Sequence, residues 1–196
     1  MGLLDWLKGR STGGDPGLSE WRRAWAEAAI RIDEHTVSSL ESRLKALALP
    51  EEDIEIEQEM LEGARDLVRL RAEVDGSGLP VVDTGHRVIG GDTCHYSAPV
   101  SMPDDPAQPS GRLLLTGARA VFAGAGRTTA VPWHMVAEVV RAERDIVLIR
   151  KGREDLHRFR CNTFADALCG AFLAQRLIER RQPAPGARTS SPATAL

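Results

Sequence analysis

Residues 111–160 alternate short apolar runs with tight turns, and this alternation constrains the fold more than any other feature of the sequence. The runs are short and rich in valine, leucine and isoleucine, which favours strands over helices. Turn residues separate the runs at 117–118, 124–126 and 151–153. Because turns this short join neighbouring strands, the sequence predicts a small antiparallel sheet.

Seven strands are predicted from this pattern and its upstream neighbour, at residues 93–102, 112–116, 120–123, 128–132, 136–141, 145–150 and 156–161. A helical run follows at residues 163–181, in which apolar side chains recur along one side. Asn162 is the predicted N-cap of this helix. A small sheet closed off by one helix is more typical of binding modules than of enzymes.

Residues 18–80 carry the three- and four-residue apolar spacing of amphipathic helices. One apolar stripe begins at Leu18, and a second stripe in a different phase begins at Val37. The phase shift leaves two alternatives: one long helix with a stutter, or two helices broken near His35 and Thr36. A further helix starts after Pro50 with an acidic cluster, which suits the positive end of the helix dipole. We predict an N-terminal helical hairpin.

Composition is ordinary for a soluble protein, with 42% hydrophobic and 27% charged residues. No stretch approaches the roughly 20 continuous apolar residues of a membrane-spanning helix. The N-terminus lacks the pattern of a secretory signal, and three irregularly spaced cysteines do not make a disulfide framework. We therefore expect a cytoplasmic protein, with peripheral membrane association as the alternative.

Charge is divided unequally along the chain. Residues 1–80 have ten Lys/Arg against 17 Asp/Glu, whereas residues 81–196 have 15 against 11. The second part could favour an anionic surface that the first part would repel. The simpler interpretation is that long exposed helices are rich in glutamate.

Two neighbouring segments carry a family resemblance. Residues 111–116 read GRLLLT and residues 119–122 read RAVF, and this strand-turn-strand wording resembles GRAM domains and bacterial PH-like domains. Residues 130–136 and 145–149 fit the later strands of these families in the same order. The resemblance covers residues 92–181 and implies a PH-like, seven-stranded antiparallel β-barrel capped by a C-terminal helix. With the helical hairpin in front of it, the expected fold class is α+β.

The loop between the first two strands departs from the lipid-binding members of these families. It reads PDDPAQPS at residues 103–110, where phosphoinositide-binding PH domains usually carry lysine or arginine. Phosphate recognition needs cationic or backbone N–H donors that converge on the anion, and Asp104 and Asp105 would repel it. Phosphoinositide recognition is therefore not expected.

The later strands contain a set of basic residues that are candidates for contact with an anionic surface. They are Arg141, Arg144, Arg150, Lys151, Arg153, Arg158 and Arg160. Gathered on one edge, they could bind anionic lipid headgroups. Acidic residues are interleaved with them, so cross-strand ion pairs on a solvated face are the favoured alternative. We expect this region to lack exposed aromatic residues, on which single-stranded nucleic acids stack, so no nucleic-acid partner is expected.

Five apolar residues are candidate anchors for a membrane or a partner: Leu3, Leu4, Trp6, Leu7 and Trp133. The first four form a short amphipathic piece, which could lie in a membrane interface or dock on the protein itself. Trp133 follows a proline at a bend between strands. A tryptophan there is either a core residue with a hydrogen-bonded N–H or an exposed anchor.

The sequence offers no assembled catalytic or metal site. Cys94 and His95 are neighbours in a predicted strand and would point to opposite faces, and His86 lies at no familiar ligand spacing from them. Residues 124–129, GAGRTT, lack the spacing of a phosphate-binding loop and precede a strand, so they predict a hairpin turn. We expect no catalytic residues, no cofactor and no metal.

These features predict a non-enzymatic PH-like binding module in four segments. Residues 1–17 form an amphipathic piece and linker, 18–80 the helical hairpin, 81–182 the barrel with its helix, and 183–196 a disordered tail. The expected partner is an unidentified protein, bound in a groove beside the final helix or at an open sheet edge, in an interaction or scaffolding role. The long helices could also form a homodimer seam. Weak binding to anionic membranes is the second hypothesis, and an uncharacterised enzyme is the third.

Overall fold

The chain folds into a layer of helices packed against a seven-stranded sheet. The computed structural model describes residues 15–29, 31–107, 109–152 and 156–181. Its helices are α1 (Pro16–Ala28), α2 (Glu34–Ala46), α3 (Glu55–Ser77) and α4 (Phe164–Arg181). Its strands are β1 (Cys94–Ser101), β2 (Ser110–Thr116), β3 (Arg119–Gly124), β4 (Arg127–Pro132), β5 (Val136–Ala142), β6 (Asp145–Arg150) and β7 (Leu156–Cys161).

All seven predicted strands are confirmed, and so is the α+β class with a C-terminal helix. The strands are antiparallel throughout, in the order β4-β3-β2-β1-β7-β6-β5. The sheet is not closed as a complete barrel would be, because no hydrogen-bonded pair joins β4 to β5 among the described residues. These two strands are therefore the edges of the sheet.

Strand β2 is buried on both faces. Leu113 and Leu115 belong to the main core between the sheet and α4, while Leu114 packs on the opposite face with Cys94 and Val121. A 3₁₀ turn at Arg87–Ile89 covers that second face. The continuous leucine run is thus explained by burial on two sides, which removes the usual alternation of apolar and polar residues.

The phase shift in the helical region corresponds to a break between two helices. Helix α1 ends at Ala28, and α2 begins after Asp33, whose carboxylate accepts a hydrogen bond from the backbone N–H of Thr36 at 2.8 Å. This carboxylate is an N-cap, and it places the break a few residues before the predicted position near His35. Among the described residues, three α-helices therefore precede the sheet, and the first arm of the expected hairpin consists of two of them.

The three N-terminal helices bury their own apolar faces. The indole N–H of Trp21 in α1 donates to the carbonyl of Leu40 in α2 at 2.8 Å, and Trp25 stacks on Trp21. Arg22 pairs with Glu57 in α3 at 2.7 Å, and that glutamate is 1% exposed. A buried carboxylate needs such a partner because water no longer solvates it. The three helices share one core, which residues of the C-terminal helix α4 complete.

Helix α4 is buried on two sides. Phe164 and Leu168 belong to the helical core, whereas Leu173 and Leu177 belong to the sheet core. Gly170 faces the sheet, where a Cβ atom would lie 2.7 Å from the Ile146 side chain. The N-terminal helices therefore pack along the outer side of α4, opposite the sheet.

The N-terminus of α4 is capped differently from the sequence prediction. The Thr163 hydroxyl, not Asn162, accepts a hydrogen bond from the N–H of Asp166 at 3.0 Å. The carboxylate of Glu59 in α3 accepts from the N–H of Phe164, also at 3.0 Å. Asn162 is exposed and stands one residue too early for this geometry. A side chain 105 residues away thus completes the cap.

Two glycines of α3 test the close contact with α4. A Cβ atom at Gly63 would lie 2.7 Å from the backbone nitrogen of Ala165, whereas one at Gly76 would meet nothing within 4 Å. We expect Gly63→Ala to lower the free energy of unfolding by about 1–3 kcal/mol, since backbone atoms must shift. Gly76→Ala, the matched control, should be neutral or stabilising by up to about 1 kcal/mol. Urea titration of both variants measures this, and equal effects would contradict the packing described.

Candidate binding surface at the open sheet edge

Strand β4 has one unpaired edge. On its other side it pairs with β3 without a bulge, and Pro132 lies opposite Arg119. The N–H of Trp133, the next residue, donates to the carbonyl of Ala118 at 3.2 Å. Because hydrogen bonding alternates along an antiparallel pair, the N–H and C=O groups of Thr128 and Ala130 point away from β3. These groups are free to pair with another strand.

The side chains on the β4 edge do little to obstruct a partner strand. Thr128 and Ala130 are small and exposed. Arg127 is the charged residue of the strand, and its guanidinium pairs with Asp105 in the loop between β1 and β2. Natural sheets commonly protect their edges with charges, bulges or prolines. In β4 the proline stands at the end of the strand, so the middle of the edge is unprotected.

The other edge, β5, is better protected. Its pairing with β6 shifts register between Val136 and Glu138, which marks a bulge, and α4 packs against the strand. The guanidinium of Arg141 is largely buried, and burial lowers its pKa. It donates to the backbone carbonyl of Glu143 at 3.3 Å. A bulge, a neighbouring helix and a charged side chain together make β5 the less favourable edge for strand addition.

Three arginines of the predicted basic set are held in ion pairs. Arg158 and Arg160 both contact the carboxylate of Asp145, with N–O distances of 2.5 and 2.9 Å, and Asp145 is 4% exposed. Hydrogen bonding to Asp145 raises the pKa of Arg160. Arg144 pairs with Glu59 and lies over the ring of Phe164, 4.8 Å from its centre. The pairs with Asp145 join β7 to β6, and the pair of Arg144 with Glu59 joins the turn before β6 to α3.

Two further members of the basic set lie at the end of β6 and directly after it. Arg150 is half-buried, with a guanidinium nitrogen 3.7 Å from the sulfur of Met135, and Lys151 is exposed in the turn after β6. Arg153 lies outside the described residues. Cross-strand ion pairs therefore account for part of this set, and whether the whole set contacts an anionic surface stays a prediction.

The acidic loop between β1 and β2 neutralises cations near the sheet. Asp105 pairs with Arg127 of β4, and Asp104 lies 3.4 Å from Arg158 of β7. The pKa of Asp105 is lowered by its hydrogen bond from the Ala107 N–H and by Arg127. The loop therefore places one aspartate beside Arg127 and another beside Arg158, which also pairs with Asp145, and both aspartates would repel an anionic ligand.

Of the candidate anchors, Trp133 lies within the described residues, and it is buried. Trp133 is 1% exposed, and its indole N–H donates to the carbonyl of Thr116 at 2.7 Å. It is a core residue with a satisfied N–H, which corrects its role as an exposed anchor. Leu3, Leu4, Trp6 and Leu7 lie outside the described residues.

The thiols lie in surroundings that disfavour the thiolate. Cys94 and Cys161 are buried and Cys169 is half-buried, and burial raises the pKa of all three, to about 12 for the last two. A raised pKa leaves the thiol protonated and weakly nucleophilic at neutral pH. Within the described ranges, no group of three or more His, Cys, Asp or Glu side chains could hold a metal ion. No helix in the same ranges is long and apolar enough to cross a membrane.

The sequence did not predict that the β4 edge is less protected against strand addition than the β5 edge. Residues 127–130, RTTA, predict a strand. Their sequence does not show that one side of this strand has no neighbouring strand. The available signal was the small size of these residues together with the turn before them and Pro132 after them. That combination is typical of an edge strand.

Comparison with known proteins gives no family assignment. No family model matches the chain, and no curated protein matches its sequence. Among solved structures, a C-terminal domain of an unknown protein from Leishmania infantum is similar at 14% identity and a TM-score of 0.40, with 46% of this chain and 89% of that one covered. The human ARAP2 N-terminal PH domain is similar at 9% identity and a TM-score of 0.36, covering 51% and 92%.

A third similar structure is the PDZ-RhoGEF DH/PH pair in complex with activated RhoA. It shows 11% identity and a TM-score of 0.39, and the alignment covers 92% of this chain and 51% of that one. The present chain therefore spans about half the length of that structure.

The raised pKa of Glu143 predicts that the free energy of unfolding depends on pH. Burial and the neighbouring Asp145 raise the pKa of this carboxyl above its ordinary value. Between the ordinary and the raised pKa, the folded chain binds more protons than the unfolded chain, so this group makes stability fall as pH rises. We expect Glu143→Gln to remove that fall, as measured by urea unfolding at several pH values from about 4 to about 7. Glu138→Gln, at an exposed site of β5, is the control. An unchanged pH profile in Glu143→Gln would contradict the assignment.

Proposed function

We propose that this chain is a non-enzymatic binding module that takes an extended peptide of a partner protein along the free edge of β4. The observation that carries the proposal is the outward N–H and C=O pairs of Thr128 and Ala130 on a strand without a bulge. A peptide that adds there gains backbone hydrogen bonds, and its alternate side chains lie against the two faces of the sheet. In this proposal the chain serves protein–protein interaction or scaffolding.

The packing of the helices favours the β4 edge over the other binding surfaces predicted from the sequence. A groove beside α4 and a homodimer seam along the helices both need an uncovered apolar helix face. Among the described residues, the exposed large hydrophobic side chains are Val81, Val88 and Leu156, and all three lie outside the four α-helices. The apolar faces of the helices are used inside the protein.

Peripheral membrane binding is the alternative function. Lys151 is exposed, and Arg150 has no carboxylate partner among the described ion pairs. The ion pairs of Arg144, Arg158 and Arg160 reduce the positive charge available to a bilayer. Anionic lipid attracts basic residues by about 1 kcal/mol each, so the loss of three such residues from a set of this size is substantial.

Peptide binding at β4 is tested with a random peptide library displayed on phage. Peptides selected on the full chain are measured by fluorescence anisotropy against Ala130→Pro and Ala130→Ser. The proline removes an outward N–H that the β3 ladder does not use, so the fold should survive, whereas serine keeps the N–H. We expect Ala130→Pro to weaken binding at least about tenfold, which corresponds to one lost hydrogen bond plus steric exclusion.

The control for this experiment is Ala130→Ser, which should bind like the original chain. Circular dichroism and thermal unfolding verify that both variants are folded. Selected peptides that bind the proline variant with unchanged affinity would show that the β4 edge is not the site.

Cosedimentation with lipid vesicles distinguishes peptide binding from peripheral membrane binding. We expect equal, weak sedimentation with neutral vesicles and with vesicles that contain anionic lipid, at low and at high salt. Salt-sensitive sedimentation with the anionic vesicles, lost when residues 1–10 are deleted, would support membrane binding instead. The folding of the chain without residues 1–10 is checked on that chain itself.

A further inference from the structure

A cavity of about 450 Å³ opens where the sheet meets the helical layer. Its lining comes from the β5–β6 hairpin, the end of β7 and the first turns of α3 and α4. The lining residues that bear on binding are Ile56, Glu143, Arg144, Asp145, Arg160 and Phe164. Small-molecule sites in proteins have volumes of roughly 300–1,000 Å³, so this cavity is large enough to hold a ligand.

Glu143 occupies an unfavourable backbone conformation at the rim of this cavity. It lies in the turn between β5 and β6 with a left-handed φ of 56°, where hairpin turns favour glycine. Among the described residues its carboxylate forms no hydrogen bond or ion pair. Backbone strain of this kind is concentrated at ligand-binding sites, which makes Glu143 a candidate ligand contact.

The carboxyl of Glu143 has no cation of its own. Burial and Asp145 raise its pKa, and the neighbouring arginines oppose that shift without cancelling it. Arg144 is already paired with Glu59, and Arg160 with Asp145. A cationic group beside Glu143 would offset the repulsion between the two carboxylates of the hairpin.

The two arginines of the lining retain unused N–H groups. Arg160 donates to Asp145 from Nε at 2.9 Å and from Nη2 at 3.2 Å, and its Nη1 has no partner among the described residues. Nε of Arg144 is buried, and it too has no hydrogen-bond partner in this part of the chain. Buried donors without an acceptor are rare, and a bound molecule can supply the acceptor. The cavity therefore offers donors to an anionic group and a carboxylate to a cationic group.

The balance of charge in the lining indicates the class of ligand. The four charged lining residues bring two negative and two positive charges: Glu143, Asp145, Arg144 and Arg160. A simple cation would face two arginines, and a simple anion would face two carboxylates. A zwitterion can place each of its charges beside the opposite charge. Ile56 and Phe164 add apolar surface, which suits a ligand with an apolar side chain.

We propose that this cavity binds a free α-amino acid with an apolar side chain, with the ammonium group beside Glu143 and the carboxylate on the unused N–H groups of Arg144 and Arg160. Both contacts are charge-assisted hydrogen bonds. Ile56 and Phe164 contact the side chain of the ligand. None of the described lining residues belongs to β4, so this proposal does not rest on the peptide-binding function.

Calorimetric titration of the full chain with valine, leucine and phenylalanine tests the proposal. We expect at least one of them to bind with a dissociation constant below about 1 mM. The N-acetyl derivative of that amino acid has no ammonium group, and its carboxamide derivative has no carboxylate. Each derivative should bind at least about tenfold more weakly, because one charge-assisted contact is lost. Absence of binding by all three amino acids, or equal binding of the derivatives, would overturn the proposal.

Two variants of Glu143 separate binding from folding. Glu143→Gln removes the negative charge, and Glu143→Gly also removes the backbone strain. We expect both to weaken amino-acid binding at least about tenfold, while the urea midpoint of unfolding at neutral pH stays the same or rises. Glu138→Gln, at an exposed site of β5, is the matched control and should bind like the original chain. Unchanged binding in either Glu143 variant would show that the ligand does not occupy this cavity.

Discussion

The structure depends on the burial of helix α4 from two sides. One side completes the sheet core through Leu173 and Leu177, and the other completes the helical core through Phe164 and Leu168. Glycines at the closest approaches let α4 touch the sheet at Gly170 and α3 at Gly63. Neither core is complete without this helix, because each would expose the apolar residues that now contact it.

Burial of α4 decides which surfaces remain for a partner. A C-terminal helix beside an open sheet could offer a groove on its outer side, but here α3 fills that side and Glu59 caps the start of α4. The apolar stripes that indicated a dimer seam are used in the same packing. The backbone groups of Thr128 and Ala130 at the β4 edge have no strand partner among the described residues, and unpaired strand edges readily accept another strand.

The elements of the fold were predictable because their signals are local. Turn residues and short apolar runs located all seven strands, whereas the phase shift at Val37 left one helix or two as alternatives, and the structure has two, with Asp33 as the N-cap of the second. The site was less predictable because its determinants are distant in sequence. No pattern shows that Arg144 pairs with Glu59, 85 residues away, or that Asp145 holds both Arg158 and Arg160. Interleaved charges indicated pairing in general, whereas the partner of Arg144 depends on where α3 packs and the partners of Asp145 depend on the register of β6 and β7.

The central claim is that one shared helix makes the helical layer and the sheet a single cooperative unit. Each core contains a buried indole N–H that serves as a probe: Trp21 donates to Leu40 in the helical core, and Trp133 donates to Thr116 in the sheet core. Exchange of these two indole hydrogens at increasing urea concentrations measures the opening of each core separately. The account predicts that both reach the same opening free energy with the same dependence on urea. Exchange of Trp21 through a smaller opening, while Trp133 stays protected, would show that the helices unfold on their own and would contradict it.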